Sequence, residues 1–458
     1  MQISQKCSSA MRRITSVAKS GGAGSKKNIA SLDGLRAFAA LGVVTLHITY
    51  LVGYIIVNEY KDPWLASFWV FGNTGVQLFF VLSGFLLFMP YAKALLFGET
   101  WPSTRTFYWR RALRILPCYY FSLALLVIFV QPVYLHPDHW SRLFLFLTFF
   151  MDSSKATFEQ IDVPYWSLGV EVQFYLLLPL VALGMRILVQ WAAHTPRRRF
   201  AAAATACAGL VLYGLAIRYV GLQWAQQPQE GLAAIAQFVL FGVRGKFWED
   251  FAVGMFVSLC FIYAQHPEYG QRLQSKLKKI SPLLALGALG IITICSLWNF
   301  RASYPVPQLN FLLPIVQYDP WFLDFCVSLG WGLVIATLLF GYTLFRAPFE
   351  WQPVRWLGII SYSVYLWHFP MLSFFQRHIF SHLHVSNIVL SHIIYWSFFA
   401  LVIIPWCVLV YWLVEKPFMR MKDRQKRAST PTETKDRGHS SLGAAQAQEK
   451  AVIGSSSP

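Results

Sequence analysis

Apolar runs of about 20 residues recur from Leu35 to Val414, each long enough for a helix to cross a hydrocarbon core of about 30 Å. No other feature restricts the fold so strongly. In lipid every backbone amide and carbonyl must find its partner within the protein, which leaves helices or a closed barrel. Continuous apolar runs, rather than strict alternation, select helices. The composition agrees: 56% of the residues are hydrophobic and 13% charged, where a soluble domain carries about 25% charged residues. An ordinary cytosolic enzyme is excluded.

The pattern predicts an all-α integral membrane protein, a bundle of about ten transmembrane helices. The spans fall near 35–57, 69–89, 114–134, 166–190, 200–222, 247–264, 281–299, 321–345, 356–376 and 389–414. Lys26 and Lys27, Lys93, Arg105, Arg110 and Arg111, Arg197 to Arg199, Lys276 to Lys279, Arg346 and Arg355, and Arg420 and Lys422 all fall on one side of such a bundle. That side is expected to be cytoplasmic, with both termini on it. The opposite loops are mixed or acidic, with Glu59, Asp62, Asp138, Asp152, Glu159, Asp162, Glu230 and Asp319. The formal charge of +18 is thus read as membrane orientation and not as a nucleic-acid surface, because no soluble domain presents a basic face.

The expected organisation is a basic N-terminal tail over 1–30, a transmembrane domain over 31–420 and a C-terminal tail over 421–458, both tails too polar to fold alone. No cleavable signal peptide is expected, so the first span serves as the signal-anchor. Leu143 to Met151 is apolar but too short to span, and reads as a re-entrant or interfacial piece of an outer loop. Six of the seven cysteines sit in or beside apolar segments without metal-ligand spacing, as packing residues do. His378, His382 and His384 lie close in sequence, but no cysteine or carboxylate accompanies them, and no metal is expected.

Ionisable groups within spans are costly and mark internal cavities. Arg36 and His47 lie eleven residues apart, about three helical turns, so they share a face with His47 roughly 16 Å deeper. A cation near the cytoplasmic end and an imidazole at mid-depth suit an extended donor such as an acyl-CoA. The alternative is a snorkelling arginine and a histidine that only bonds a neighbouring helix. Arg111 and Arg114 share a face at the start of the third span and can present forked donors to phosphate oxygens, or else simply anchor the helix. Glu171, just inside the fourth span behind Trp166, suits a general base or a partner for an imidazole, or a structural bridge. His368, near mid-depth in the ninth span, either binds substrate, orients His47 or packs as a satisfied core histidine.

Six pieces together resemble acyltransferase family 3, the membrane acyltransferases that include O-acetyltransferases of surface glycans. They are Asp33-Gly34-Leu35-Arg36-Ala37 with His47; Gly75 to Phe85; Arg111-Ala112-Leu113-Arg114 with Pro117; Trp166-Ser167-Leu168 with Glu171; Tyr362 to His368; and Val414-Glu415-Lys416-Pro417. The resemblance runs in order across nearly the whole membrane portion. It implies an acyl-CoA donor, commonly acetyl-CoA, approached from the cytoplasm, and a hydroxyl-bearing glycan, lipid or metabolite as acceptor. It further implies that Arg36, His47, Arg111 and Arg114 are essential, and that the protein sits in a bacterial cytoplasmic membrane. Some members carry a fused extracytoplasmic hydrolase-like domain. No room for one is expected after Pro417, so a separate extracytoplasmic transfer protein is a candidate partner. On this reading the arginines hold the CoA phosphates, and His47 acts as base with Glu171 or His368 orienting it. The competing class is a transporter or flippase with the same buried charges lining a substrate or proton path.

Overall fold

A computed structural model describes residues 30–52, 63–192, 195–226 and 229–421. The two expected tails lie outside the described residues, apart from their innermost positions. Among the described residues the chain is mainly helical, without a strand. Among the described residues a helix overlaps each expected span, the end of the first span at 53–57 lying outside them: α1 (Ala30–Leu51), α2 (Gly75–Phe97), α3 (Thr104–Val130), α4 (Tyr165–Ala192), α5 (Pro196–Trp224), α6 (Trp248–Ala264), α7 (Gln271–Ser303), α8 (Asp319–Phe340), α9 (Ser361–His378) and α10 (Ile388–Met421). Eight membrane-length apolar helices are present among the described residues. The two central helices α6 and α9 are shorter or more polar; both are flanked by other helices, so protein rather than lipid surrounds their polar groups.

Two of the boundaries differ from expectation, with a chemical consequence. Helix α3 starts ten residues before the expected 114, where Ser103 caps it by accepting from the Thr106 amide at 3.4 Å. The apolar run begins only after the arginines, so hydropathy alone starts the span too late. Arg111 and Arg114 therefore stand two to three turns inside the helix. The ninth span is also broken, because Gln352–Ile359 ends at Ile360 and α9 starts afresh at Ser361. His368 is then about two turns from the start of its helix, not three.

The core is built by close approach of backbones. Helix α2 packs on α6 through reciprocal glycines, where a Cβ at Gly84 would fall 2.2 Å from the Phe251 carbonyl oxygen and one at Gly254 2.0 Å from that of Val81. Helix α1 meets the Gln352–Ile359 segment in the same way, since a Cβ at Gly358 would fall 1.8 Å from the Asp33 carbonyl oxygen. Small residues permit such contacts, and in lipid dispersion rather than hydrophobic transfer holds helices together.

The basic loops gather at one end, here the inner end, where Phe97 stacks on His266 at 4.3 Å and Arg186 lies over Trp101 at 5.0 Å. At the outer end, the segment between α3 and α4 folds back onto the bundle. Its one α-helix is Trp140–Leu147, amphipathic with Trp140 and Phe144 exposed and Phe146 buried, and Met151, Asp152 and Asp162 beyond it are buried. It is held by Lys246, which forms a buried ion pair with Asp152 and donates to Ser153 Oγ at 2.9 Å.

Candidate functional site

Helices α1, α2, α3, α4 and α9 enclose a cavity of about 80 Å³ lined by Arg36, Arg111, Arg114, Ser83, Glu171, Tyr175, Ser167 and Tyr365. Three guanidinium groups and one carboxyl line it, a net positive field in a low-dielectric setting where water screens little. Arg36 is held by Asp33 at 3.2 Å, one turn back on its own helix, and Asp33 also faces Arg355 at 3.9 Å. Arg111 lies over the Tyr175 ring at 5.9 Å. Glu171 accepts short hydrogen bonds from both Ser83 and Tyr175. Glu415, fully buried, accepts from Ser363 Oγ at 3.1 Å and lies within electrostatic reach of Arg114.

On the outer side of this cavity Phe79 and Tyr365 stand in its wall, their rings meeting edge to face at 5.6 Å. Tyr365 shares a hydrogen bond of 2.5 Å with Ser167, which also donates to the Pro164 carbonyl at 2.9 Å. One turn further along α9 stands His368, completely buried. Its Nε2 lies 2.9 Å from His47 Nδ1, and its Nδ1 lies 3.0 Å from the Val364 carbonyl oxygen.

That chain of contacts fixes both tautomers. A carbonyl only accepts, so His368 Nδ1 carries the proton given to Val364, and in a neutral ring its Nε2 must then accept. His47 Nδ1 therefore donates to His368, and His47 Nε2 is left with a lone pair. Both rings are taken as neutral because an isolated cation at this depth is costly. His47 itself is only partly buried, with Phe369 against its ring at 4.8 Å. A buried partner that sets the tautomer and orients a basic nitrogen is the logic of a catalytic histidine.

The family model described as an acyltransferase domain matches residues 29–412, nearly all of the helical bundle. The chain belongs to acyltransferase family 3. Its similar curated proteins include YrhL of Bacillus subtilis, named as a candidate peptidoglycan O-acetyltransferase, which is 27% identical over 75% of this chain and 48% of its own length. The peptidoglycan O-acetyltransferase OatA of Listeria monocytogenes is 24% identical over 76% of this chain and 50% of its own. The O-acetyltransferase OatA of Staphylococcus aureus is 23% identical over 76% and 51%. The chain thus spans about half the length of the curated relatives it matches. No solved structure matches it.

Within this acyltransferase domain the six singled-out residues divide into two groups. Arg36, Arg111, Arg114 and Glu171 meet in the cavity; His47 and His368 pair beside its outer end. Of the two partners expected for His47, the structure brings up His368, while Glu171 faces Ser83 and Tyr175 among the arginines. Among the described residues no cluster of three or more His, Cys, Asp or Glu is arranged to hold a metal.

Sequence reading missed several residues here. Asp33 stands three before Arg36, and that spacing already signals an ion pair on a helix. Ser83, Tyr175 and Tyr365 give no comparable signal, since hydroxyls in apolar helices are common. A larger omission is Arg218 on α5, buried between Glu249 on α6 at 2.7 Å and Asp324 on α8, which also accepts from Gln77 at 2.6 Å. This network ties four helices together at the outer half of the bundle. Arg218 stands close to the outer end of a long apolar run, where a lone arginine reads as an interfacial anchor.

Proposed function

We propose that this chain is an integral membrane O-acyltransferase that takes an acyl group, acetyl in the first instance, from a CoA thioester. It passes that group to a hydroxyl of a glycan on the opposite side of a bacterial cytoplasmic membrane. The observation that carries the reading is the Val364–His368–His47 relay, which leaves His47 one basic nitrogen and stands one turn beyond Tyr365 in the wall of a cavity rich in guanidinium groups. Family membership and the O-acetyltransferase names of similar proteins support the acyl chemistry.

In the proposed reaction Arg111 and Arg114, with Arg36, bind the phosphates of acyl-CoA from the inner end. Glu171 limits the local charge and holds Tyr175 and Ser83 in place. The pantetheine arm runs outward past Tyr365 and Phe79. The interval from Arg36 to His47, roughly 16 Å along α1, matches an extended arm carrying its thioester away from its phosphates. His47 Nε2 then removes the proton of the acceptor hydroxyl as that oxygen attacks the thioester carbonyl. The new ester bond forms, the carbon–sulfur bond breaks, and the CoA thiolate leaves and takes the proton from His47. During the step His368 Nε2 accepts from the imidazolium and stabilises its charge. Similar proteins named for peptidoglycan make a wall glycan the first acceptor to try.

The test is acetyl-CoA turnover by the purified chain in nanodiscs, with and without muramidase-released peptidoglycan fragments, comparing the wild type with His47→Ala. Loss of at least about 100-fold, the low end for removing a general base, with the fold intact, is expected. Full turnover in the variant would defeat the assignment, and passage of an unmodified substrate across a sealed vesicle would favour the transporter class.

A further inference from the structure

The arginine cavity is not the roomiest space in the protein. At the outer end lies a pocket of about 480 Å³ lined by Gln226, Gln229, Gln237, Ser153, Lys155 and Phe238, among others, from the α3–α4 and α5–α6 connections. Volumes of this order suit a small-molecule site. The geometry points to this pocket as a subsite for a neutral, hydroxyl-rich ligand, a sugar unit of the glycan acceptor other than the one that is acylated. The inference rests on the function proposed above and adds where the acceptor is held.

The chemistry of the lining selects the ligand class. The amides of Gln226 and Gln237 each offer two donors and an acceptor, and each sugar hydroxyl both donates and accepts, so the two sets are complementary; the Gln229 amide already donates to the Trp224 carbonyl at 3.2 Å. The side-chain amides of Gln226 and Gln237 have no hydrogen-bond partner among the described residues. Lys155 is the pocket's single charged group, too little for a phosphate site, where several forked donors converge. A lipid tail would leave those polar groups unpaired. Phe238 stacks against Phe150 with centroids 5.8 Å apart and planes 12° from parallel, which gives the pocket a fixed aromatic ring to pack against the C–H face of a sugar.

The pocket is also built rigidly. Ser153 in its wall is fixed by Lys246, which is paired with Asp152. The Asp152 carboxylate accepts from Gln173 on α4 at 2.8 Å, and its carbonyl accepts from the Val243 amide at 3.0 Å. A Cβ at Gly169 would fall 3.2 Å from the Asp152 carboxylate. Ser167, Glu171 and Tyr175 point from α4 into the arginine cavity, while Gly169 and Gln173 on the other side of that helix face Asp152, as a 100° repeat requires. Helix α4 and the buried Asp152–Lys246 pair therefore stand between the two spaces, and the pocket holds a sugar remote from the reacting unit. Binding energy from such a remote unit can be used to position the reacting hydroxyl.

The experiment uses the full chain in nanodiscs, with muramidase-released peptidoglycan fragments as the probe, and measures probe binding calorimetrically beside His47-dependent acetyl-CoA turnover. Gln226→Ala and Gln237→Ala should each weaken probe binding about fivefold to tenfold, as losing a hydrogen bond does. Ala234→Phe, which fills the pocket, should abolish it, and all three should keep the basal acetyl-CoA hydrolysis of the wild type. Wild-type affinity in all three variants would overturn the subsite, as would a wild type that hydrolyses acetyl-CoA through His47 but does not bind the probe. Probe binding that depends on the glutamines in a protein without His47-dependent turnover would keep the pocket and remove the proposed reaction.

Discussion

Replacing His368 by leucine removes one imidazole of similar size from a fully buried site and leaves the rest of the relay untouched. His47 Nδ1 then loses the acceptor at 2.9 Å that holds its proton there. A buried donor without a partner costs about 1–3 kcal/mol, so the proton moves to Nε2 or the ring turns, and either outcome withdraws the lone pair from the acceptor hydroxyl. Removing a correctly set general base costs a factor of about 10² to 10⁴, which corresponds to about 2.7–5.4 kcal/mol of barrier. The expected result is a fall of that size in kcat with an unchanged KM for acyl-CoA, because the arginine cavity does not include His368. His368→Gln should fall between leucine and the wild type, since its amide oxygen can still accept from His47 Nδ1. The assay is release of free CoA thiol under saturating acceptor, with thermal unfolding in the same nanodiscs to verify the fold. A leucine variant within about threefold of wild-type kcat would refute the tautomer argument, and so would an effect confined to KM.

Arg111→Ala and Arg114→Ala should each raise the KM for acyl-CoA by about tenfold with a smaller change in kcat, and lysine at either place should restore only part of it because the forked donors are lost; steady-state kinetics against acyl-CoA decides it. Gly84→Leu should lower the unfolding temperature sharply or prevent folding, since even a Cβ at this position meets the Phe251 carbonyl and overpacking costs about 1–3 kcal/mol or more; thermal unfolding of purified protein tests it. Asp162, outside the spans, is buried, and burial pushes its carboxyl well up from the ordinary range with only the neighbouring Val163 amide opposing. The folded state thus holds this proton to higher pH than the unfolded chain does, so stability falls as pH rises from about 4 toward the folded value. Asp162→Asn should remove that fall, stabilising the protein at pH 8 and changing little at pH 4; equal unfolding curves at both pH values would contradict it.

The relation between sequence and structure divides by range. Apolar runs of spanning length decided that the chain is helical and membrane-embedded, because lipid leaves the backbone no other solution. Helical periodicity likewise put Arg36 on the face of His47 and Arg111 on the face of Arg114, since each pair lies within one helix whose geometry is fixed. The ordered motifs, from Asp33 to Pro417, carried the family. Packing decided everything that required two helices to meet. His47 and His368 are 321 positions apart, and nothing in either segment says that one ring will donate to the other. Glu171 suited an imidazole or a structural bridge between helices until α2 and α4 placed Ser83 and Tyr175 against it. Arg218 became a buried tie when α6 and α8 brought Glu249 and Asp324 to it. Periodicity states which way a side chain faces, while its partner depends on crossing angles and backbone approach, which are set by glycines and side-chain volumes on several helices at once.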